Sequence, residues 1–565
     1  MKKAVASFLM VVVLVIVFST TGAAADPTNT SLGTGALLDN QGGSEVTALG
    51  YNALFTNLGS RNTAVGSNAL FSNNAPTRPG HDNTATGAYA LSNNASMSSA
   101  TASRGGSYDT ADGVFSLFNN IESNNTGIGA YALYCNTSGV GNTGTGFGSL
   151  GGNASSGCKY GILALMGSYN TAAGYQSLFN NQIGQRNTGI GASALHENTR
   201  GGSNTALGSS ALFNNNGSSN TAVGSGSMAG NTTGHDNTAA GVSSLSSNTS
   251  GAFNTADGVA ALFSNTTGGN NTALGEASLA SNTSGYSNTS VGMRSLAGNS
   301  TGFGNTASGV SALVNNTTGY ADSAVGLQAL ASNTTGYYNT GLGQNSLYKN
   351  TTGQNNIGLG VNGGFSLTTG NNNIDIGNPG IAAEASTIRV GIQGKQTATY
   401  IAGITGSAVT GSDVVVNGSG RLGVVVSSAR YKRDISDMGN STDGLMKLRP
   451  VSFVYKGDQQ GVKQYGLVAE EVEQIYPELV VQDDDGKIES VRYSMLTSML
   501  LNELQKQRAE MLAEKKAHQR EIAEWKADRE RDSASRIALE ERLATLERSM
   551  ASLSGDRKVM AAIGK

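Results

Sequence analysis

Proline is rare in this chain, six in 565 residues, and cysteine rarer still, with two. Two cysteines cannot build the disulfide framework of a small secreted scaffold. Charged residues make up only 13%, the net charge is −3, and most of the charge sits in roughly the last 140 residues. That leaves no basic patch for nucleic acid, so no such partner is expected. His81 and His235 share one turn position in "GHDNT", with no cysteine or carboxylate at ligand spacing, so no metal and no cofactor are expected. Long apolar runs are missing except at the N-terminus, where Lys2 and Lys3 precede "FLMVVVLVIVF" (Phe8 to Phe18) and a small-residue site ending at Ala25. The run is short for a span of about 20 residues. It reads as a signal peptide over 1–25, with the mature chain starting near Asp26, secreted or at the cell surface, and with no stable membrane span after cleavage. In such a compartment Cys135 and Cys158 could pair, although two free thiols fit the residues as well.

Glycine is what the chain has in excess, 78 residues, and most of it is periodic. "NTGIGASAL" at Asn187 recurs as "NTALGSSAL" at Asn204, "NTAVGSGSM" at Asn220, "NTAAGVSSL" at Asn237, "NTADGVAAL" at Asn254 and "NTALGEASL" at Asn271, in steps of 17, 16, 17, 17 and 17. The step of 17 then continues from Asn288 through Asn305, Asp322, Asn339 and Asn356 to Asn373. Earlier copies at Asn62, Asn83, Asp109, Asn125, Asn142 and Asn170 are less regular, with an 11-residue insertion holding Cys158 between the last two.

A glycine every few residues excludes helix, at about 1 kcal/mol each against alanine. The unit therefore reads as a short strand with tight turns, one rung of a β-roll or solenoid. Asn and Gly suit left-handed corners. The small third residue and the ninth-place Leu fill a narrow interior, and the variable fourth place faces out. Some nineteen rungs about 4.8 Å apart give a length on the order of 90 Å. A thin roll of Ala, Gly and one Leu per turn buries little by itself, so three chains packed around one axis are expected. The recurring "NTAxGxxAL" resembles the β-roll head repeats of trimeric bacterial adhesins, over Val46 to Gly377. The frequent Asn-x-Ser/Thr triplets are read as rung corners, and Gly-x-Gly strings such as "GTGFGSLGG" at Gly144 lack the helix a phosphate loop needs.

After Ile374 come longer strands, "TIRVGI", "TATYIAGI" and "DVVVNGSGRLGVVV", the last with a hairpin turn expected at Asn417 and Gly418. Four ordered blocks follow: "SSARYKRDI" (427–435), "LMKLRPVSFVY" (445–455), "YGLVAEEVEQIYPELV" (465–480) and "YSMLTSMLLNELQ" (493–505). They resemble the intramolecular chaperone domain of endosialidase tailspikes, also found on other phage tail fibres. The resemblance implies trimerisation of the preceding β-structure, then self-cleavage before the motif serine. By spacing it makes Ser427 the nucleophile, Lys432 the general base and Val426-Ser427 the scissile bond; where the family usually has Asp after the serine, this chain has Ser428.

A serine hydroxyl needs a base, and a lysine at its free value of about 10.4 is protonated at neutral pH. Burial on assembly must therefore make Lys432 competent. Beyond it, Leu539, Leu543, Leu546, Met550 and Leu553 step by 4, 3, 4 and 3, a coiled-coil seam, with His518, Ile522 and Trp525 less regular. The expected architecture is mainly β: signal peptide 1–25, β-roll stalk 26–377, β neck 378–426, α+β chaperone and autoprotease 427–500, and coiled coil 501–565. The expected function is an exported homotrimeric, adhesin-like fibre that matures by Ser-Lys self-cleavage, with a host-surface or glycan ligand; the alternative is a phage-type tail fibre or tailspike. A trimeric autotransporter would need a C-terminal membrane barrel of alternating strands.

Overall fold

A computed structural model describes residues 26–94, 105–152, 167–402, 410–411, 413–417, 419–482 and 486–560, with side chains described to residue 553. The chain divides into two units, Met1–Thr397 and Ala398–Lys565.

The first unit is a β-solenoid whose 21-stranded sheet takes one three-residue strand from each rung, Thr30–Leu32 to Ile388–Val390. Neighbouring strands are parallel and in register, as Thr255, Ala256 and Asp257 pair with Thr272, Ala273 and Leu274. The irregular early spacings do not disturb this register: Thr84–Thr86 pairs with Thr110–Asp112, and Thr143–Thr145 with Thr171–Ala173 across the insertion. Two rungs precede the copy at Asn62: "NTSLGTGAL" from Asn29, and one in which Val46 stands in for Asn. One more rung follows, because the "TIRV" strand expected in the neck pairs in parallel with Ile374–Ile376.

In the rung that starts at Asn254, Ala256, Ala261 and Leu262 are fully buried, and fourth-place Asp257 and sixth-place Val259 are exposed. Each buried Leu of the column contributes roughly 1.5–3 kcal/mol. The left-handed corners fall only partly where expected. They are fifth-place Gly258 (φ +139°), then Ala260 (+56°), Leu262 (+51°) and Asn270 (+58°), and not the repeating Asn254 and Asn265. Two tight corners in quick succession aim the ninth side chain inward, and their backbone N–H groups bond to neighbouring rungs, Ala260 to the Val242 carbonyl and Leu262 to the Ser278 carbonyl. Burial and hydrogen bonding offset a conformation that costs a non-glycine residue about 1 kcal/mol.

The repeating asparagines instead form two buried ladders. Asn254 Oδ1 accepts the backbone N–H of Asn271 at 3.1 Å, while Asn254 Nδ2 donates to the Gly268 carbonyl at 2.9 Å. Asn265 Nδ2 donates to the same carbonyl at 3.0 Å and to Asn248 Oδ1 at 2.8 Å. A rung of small residues is thus held by fully satisfied amides, where a single unmade bond would cost about 1–3 kcal/mol.

Asp322 occupies one of these Asn places. Its carboxylate accepts from the Asn339 N–H, Asn339 Nδ2 and Asn333 Nδ2, but in ionised form it cannot donate as Asn305 does to the Gly319 carbonyl and Asn339 to that of Gly353. Burial pushes its pKa up to about 7. With the folded value above the unfolded one of about 3.9, the favourable contribution is complete below pH ~4 and is lost as pH rises through about 7. Thermal melts should fall between pH 5 and 8, and Asp322→Asn should reduce that dependence, leaving the share of Asp375, whose pKa burial raises to about 6, and stabilise at pH 8 by on the order of 2 kcal/mol.

The sixteenth place holds a stacked column that the repeat consensus does not show: Tyr286, Phe303, Tyr320 and Tyr337, with centroids 5.0, 4.9 and 4.6 Å apart. Register alone puts identical places one strand spacing apart, and that spacing suits offset aromatic stacking.

The second unit opens with an antiparallel hairpin, Val414–Val416 with Leu422–Val424. Val416 pairs with Leu422, so the loop spans 417–421 rather than the two residues expected, with Asn417 Oδ1 accepting the N–H of Ser419 and Arg421. Gly418 lies outside the described residues. A small α+β body follows: hairpins Val451–Phe453 with Gln464–Gly466 and Val480–Gln482 with Ile488–Val491, helix α1 (Ala469–Glu473), and helix α2 (Tyr493–Met560). Its core is Leu445, Val472, Tyr476, Leu479, Val480, Val491 and Met499. Beyond this core α2 continues exposed; Leu539, Leu543, Leu546, Met550 and Leu553 are each 58–70% exposed.

Candidate self-cleavage site

The segment after the Leu422–Val424 strand is extended, and Val426 is half exposed. Ser428 keeps extended geometry (φ −64°, ψ 141°) and leads into a single 3-10 turn, Ala429–Tyr431. The turn is closed by two backbone bonds, Tyr431 N–H to the Ser428 carbonyl and Lys432 N–H to the Ala429 carbonyl, both 3.0 Å. One turn of this kind folds the chain back by about the length of a lysine side chain. Lys432 Nζ accordingly lies 3.1 Å from Ser427 Oγ, hydrogen-bonded to it. Ser428 makes no side-chain cap on the turn, and Arg430 lies over the Tyr431 ring at 4.7 Å. The structure therefore brings Ser427 and Lys432 together and leaves Ser428 outside the contact.

Both members of the pair are exposed in a single chain. A lysine takes a proton only when uncharged, a state favoured by removal from water. One chain supplies the reach between the two groups but not the dry surroundings.

Residues 427–481 match the family described as "Chaperone of endosialidase". The match opens on Ser427 itself and covers the turn, the hairpin of Val451–Phe453 with Gln464–Gly466, α1 and the start of the Val480–Gln482 strand. The match likens this segment, which follows the β-solenoid in the chain, to an intramolecular chaperone domain. No curated protein and no solved structure matches the chain.

The remaining sequence candidates take structural places. His81 Nδ1 accepts the Ser60 N–H at 2.9 Å, and His235 pairs with its neighbour Asp236 at 2.7 Å. Among the described residues no three metal-ligating side chains come together, and no helix is long and apolar enough to cross a membrane. Cys135 is buried and is not a free thiol, while Cys158 and the apolar N-terminal run lie outside the described residues.

What sequence reasoning did not single out is the polar clasp between the chaperone body and α2. Buried Thr442 donates to Glu503 at 3.0 Å and accepts from Asn502 Nδ2 at 2.7 Å, and Asn502 also donates to the Gly439 carbonyl at 3.1 Å. Lys506 pairs with Asp443 beside it. No spacing in the sequence signals a bond across some sixty residues. Thr442→Val keeps the volume and strands both partners, so the melting of the C-terminal unit should drop by the equivalent of about 1–3 kcal/mol.

Proposed function

We propose that the chain is an exported homotrimeric fibre whose C-terminal domain assembles the β-solenoids and then releases itself by cutting between Val426 and Ser427. The observation that carries this reading is the 3.1 Å contact between Ser427 Oγ and Lys432 Nζ at the first residue of the family match. Ser427 Oγ attacks the carbonyl carbon of Val426, and Lys432 takes the hydroxyl proton and passes it to the departing Ser427 amide nitrogen. This leaves an ester between Val426 and Ser427 Oγ, which water hydrolyses to a Val426 carboxylate and a free Ser427 amine. Assembly covers the pair and removes it from water, so only an assembled trimer cuts.

The exposed seam of α2 supports trimerisation, since a heptad row of Leu and Met left in water gains stability only against further helices. Export rests on the N-terminal pattern of Lys2, Lys3 and the apolar run to Phe18. The stalk ligand is a host-surface protein or glycan, and the Cys135 to Cys158 pairing would tie the insertion to the preceding rung. The family match also favours a second reading, a phage-type tail fibre. Light scattering should find residues 26–426 trimeric when expressed with the segment that follows and unassembled when expressed without it. A stable full-length monomer rejects the proposal. A mature N-terminus near Asp26 supports export, and an intact Met1 on virions supports the tail fibre.

A further inference from the structure

Along the solenoid, one outward face carries a row of apolar side chains that repeats at the same place in rung after rung. In the twelve rungs from Asn187 to Asn373, the fourth place is apolar in ten, Asp257 and Ser308 being the polar members. These side chains stand on the outer surface of the parallel sheet. Leu207 is 46% exposed, Leu274 37%, Val325 40% and Leu342 46%, and around the glycine corner the sixth place, apolar in seven of the twelve rungs, adds Val259 at 53% and Leu327 at 45%. The thirteenth place, by contrast, carries Thr or Ser almost throughout, with hydroxyls donated to the next rung, as Thr266 Oγ1 to the Thr283 carbonyl. Small polar residues there need no partner.

From these exposures we infer that the fourth- and sixth-place stripe is the surface by which each solenoid packs against the two other copies of this chain. The inference rests on the trimer reading and names the face it uses. Its size favours another copy over a small ligand: twelve rungs at about 4.8 Å run for about 58 Å, and a stripe about 12 Å wide then offers roughly 700 Å² per chain. That exceeds the largest apolar patch usual on a monomer, about 300–600 Å², and approaches the ~800 Å² each partner gives to a standard interface. Its shape also fits, because three identical straight stripes can meet along one axis with every rung level with its own copies. Parallel sheets, moreover, are usually covered on both faces, and within one chain this sheet is covered only on its inner face.

Single cysteines decide the point. In full-length protein carrying Ser427→Ala, so that the chain stays whole, Leu274→Cys at the fourth place is compared with Thr283→Cys at the thirteenth. A short thiol-to-thiol cross-linker should join Leu274→Cys chains into covalent dimers, since one thiol per chain can be linked only once, and leave Thr283→Cys monomeric on a denaturing gel. A water-soluble thiol reagent should label Leu274→Cys on the order of tenfold more slowly than Thr283→Cys. If the protein is trimeric by light scattering but Thr283→Cys cross-links, or neither variant does, the face is misassigned while the trimer stands. If the protein is monomeric, the trimer reading fails first. Leu274→Arg together with Leu342→Arg should weaken the trimer at least tenfold in midpoint concentration, and a trimer indifferent to both overturns the inference.

Discussion

Full-length protein with Ser427→Ala should persist as one 565-residue chain, whereas the unaltered chain should yield a fragment ending at Val426 and one running from Ser427 to Lys565, 565 − 427 + 1 = 139 residues. The alanine removes the attacking oxygen from a contact that the structure holds at 3.1 Å, and no second hydroxyl among the described residues is bonded to Lys432. Cutting should slow by roughly four orders of magnitude or more, the scale seen when a nucleophile is deleted from an acyl-transfer site. Lys432→Ala should do the same by removing the base. Lys432→Arg should also block cutting while keeping the positive charge, because a guanidinium does not give up its proton. All three should still assemble as trimers, since the packing surfaces are intact. Ser428→Ala is the control, expected to cut nearly normally. Mass spectrometry of the products reads every case. Loss of cutting in Ser428→Ala alone would move the register by one residue, and normal cutting in Ser427→Ala and both lysine variants would reject the dyad.

The other large effect is expected at a fifth-place glycine. Gly258 sits at φ +139°, and a Cβ there would lie 2.5 Å from the Gly275 carbonyl oxygen and 2.6 Å from its carbon. The neighbour is backbone held in register by the sheet, so it cannot swing aside as a side chain would. Gly258→Val combines a φ disfavoured for any L residue, about 1–3 kcal/mol, with that clash, and should destabilise the array by about 4 kcal/mol or more. Because each rung contacts only its neighbours, the damage should be local at first. Limited proteolysis is expected to nick the rungs on either side of Gly258 while distant rungs stay intact. Thr267→Val, at an exposed place one corner away, should change stability by no more than about 0.5 kcal/mol. Equal protease resistance in the two variants would show that the close approach at Gly258 is relieved at little cost.

Much of the stalk was legible because its physics is local and repeated. The third-place alanine, the ninth-place leucine and the outward fourth place follow from side-chain size and period alone, and insertions between copies did not hide them. The left-handed leucine was not legible. Propensity assigns such corners to Asn and Gly, and only the stacked rung shows that Leu262 takes one while Asn254 and Asn265 stay in the ladders. In the same way, spacing nominated Ser427 and Lys432, but whether five residues of chain bring an ammonium to a hydroxyl depends on the 3-10 turn between them. The Thr442 clasp had no sequence signal at all, because it joins residues far apart through a fold of no fixed period.

The sequence by itself thus determined the solenoid's period, the inward and outward places of each rung, the ordered blocks of the chaperone domain and the candidate pair at its start. These are properties of neighbouring residues, and neighbours are what a sequence displays. Tertiary structure alone decided the count of 21 strands among the described residues, the Asn ladders with Asp322 caught inside one of them, the aromatic column, and the exposure of both the Ser427–Lys432 pair and the apolar stripe in a single chain. Each of these depends on which residues the fold stacks above one another and on what it leaves in water, and neither is encoded at any single position.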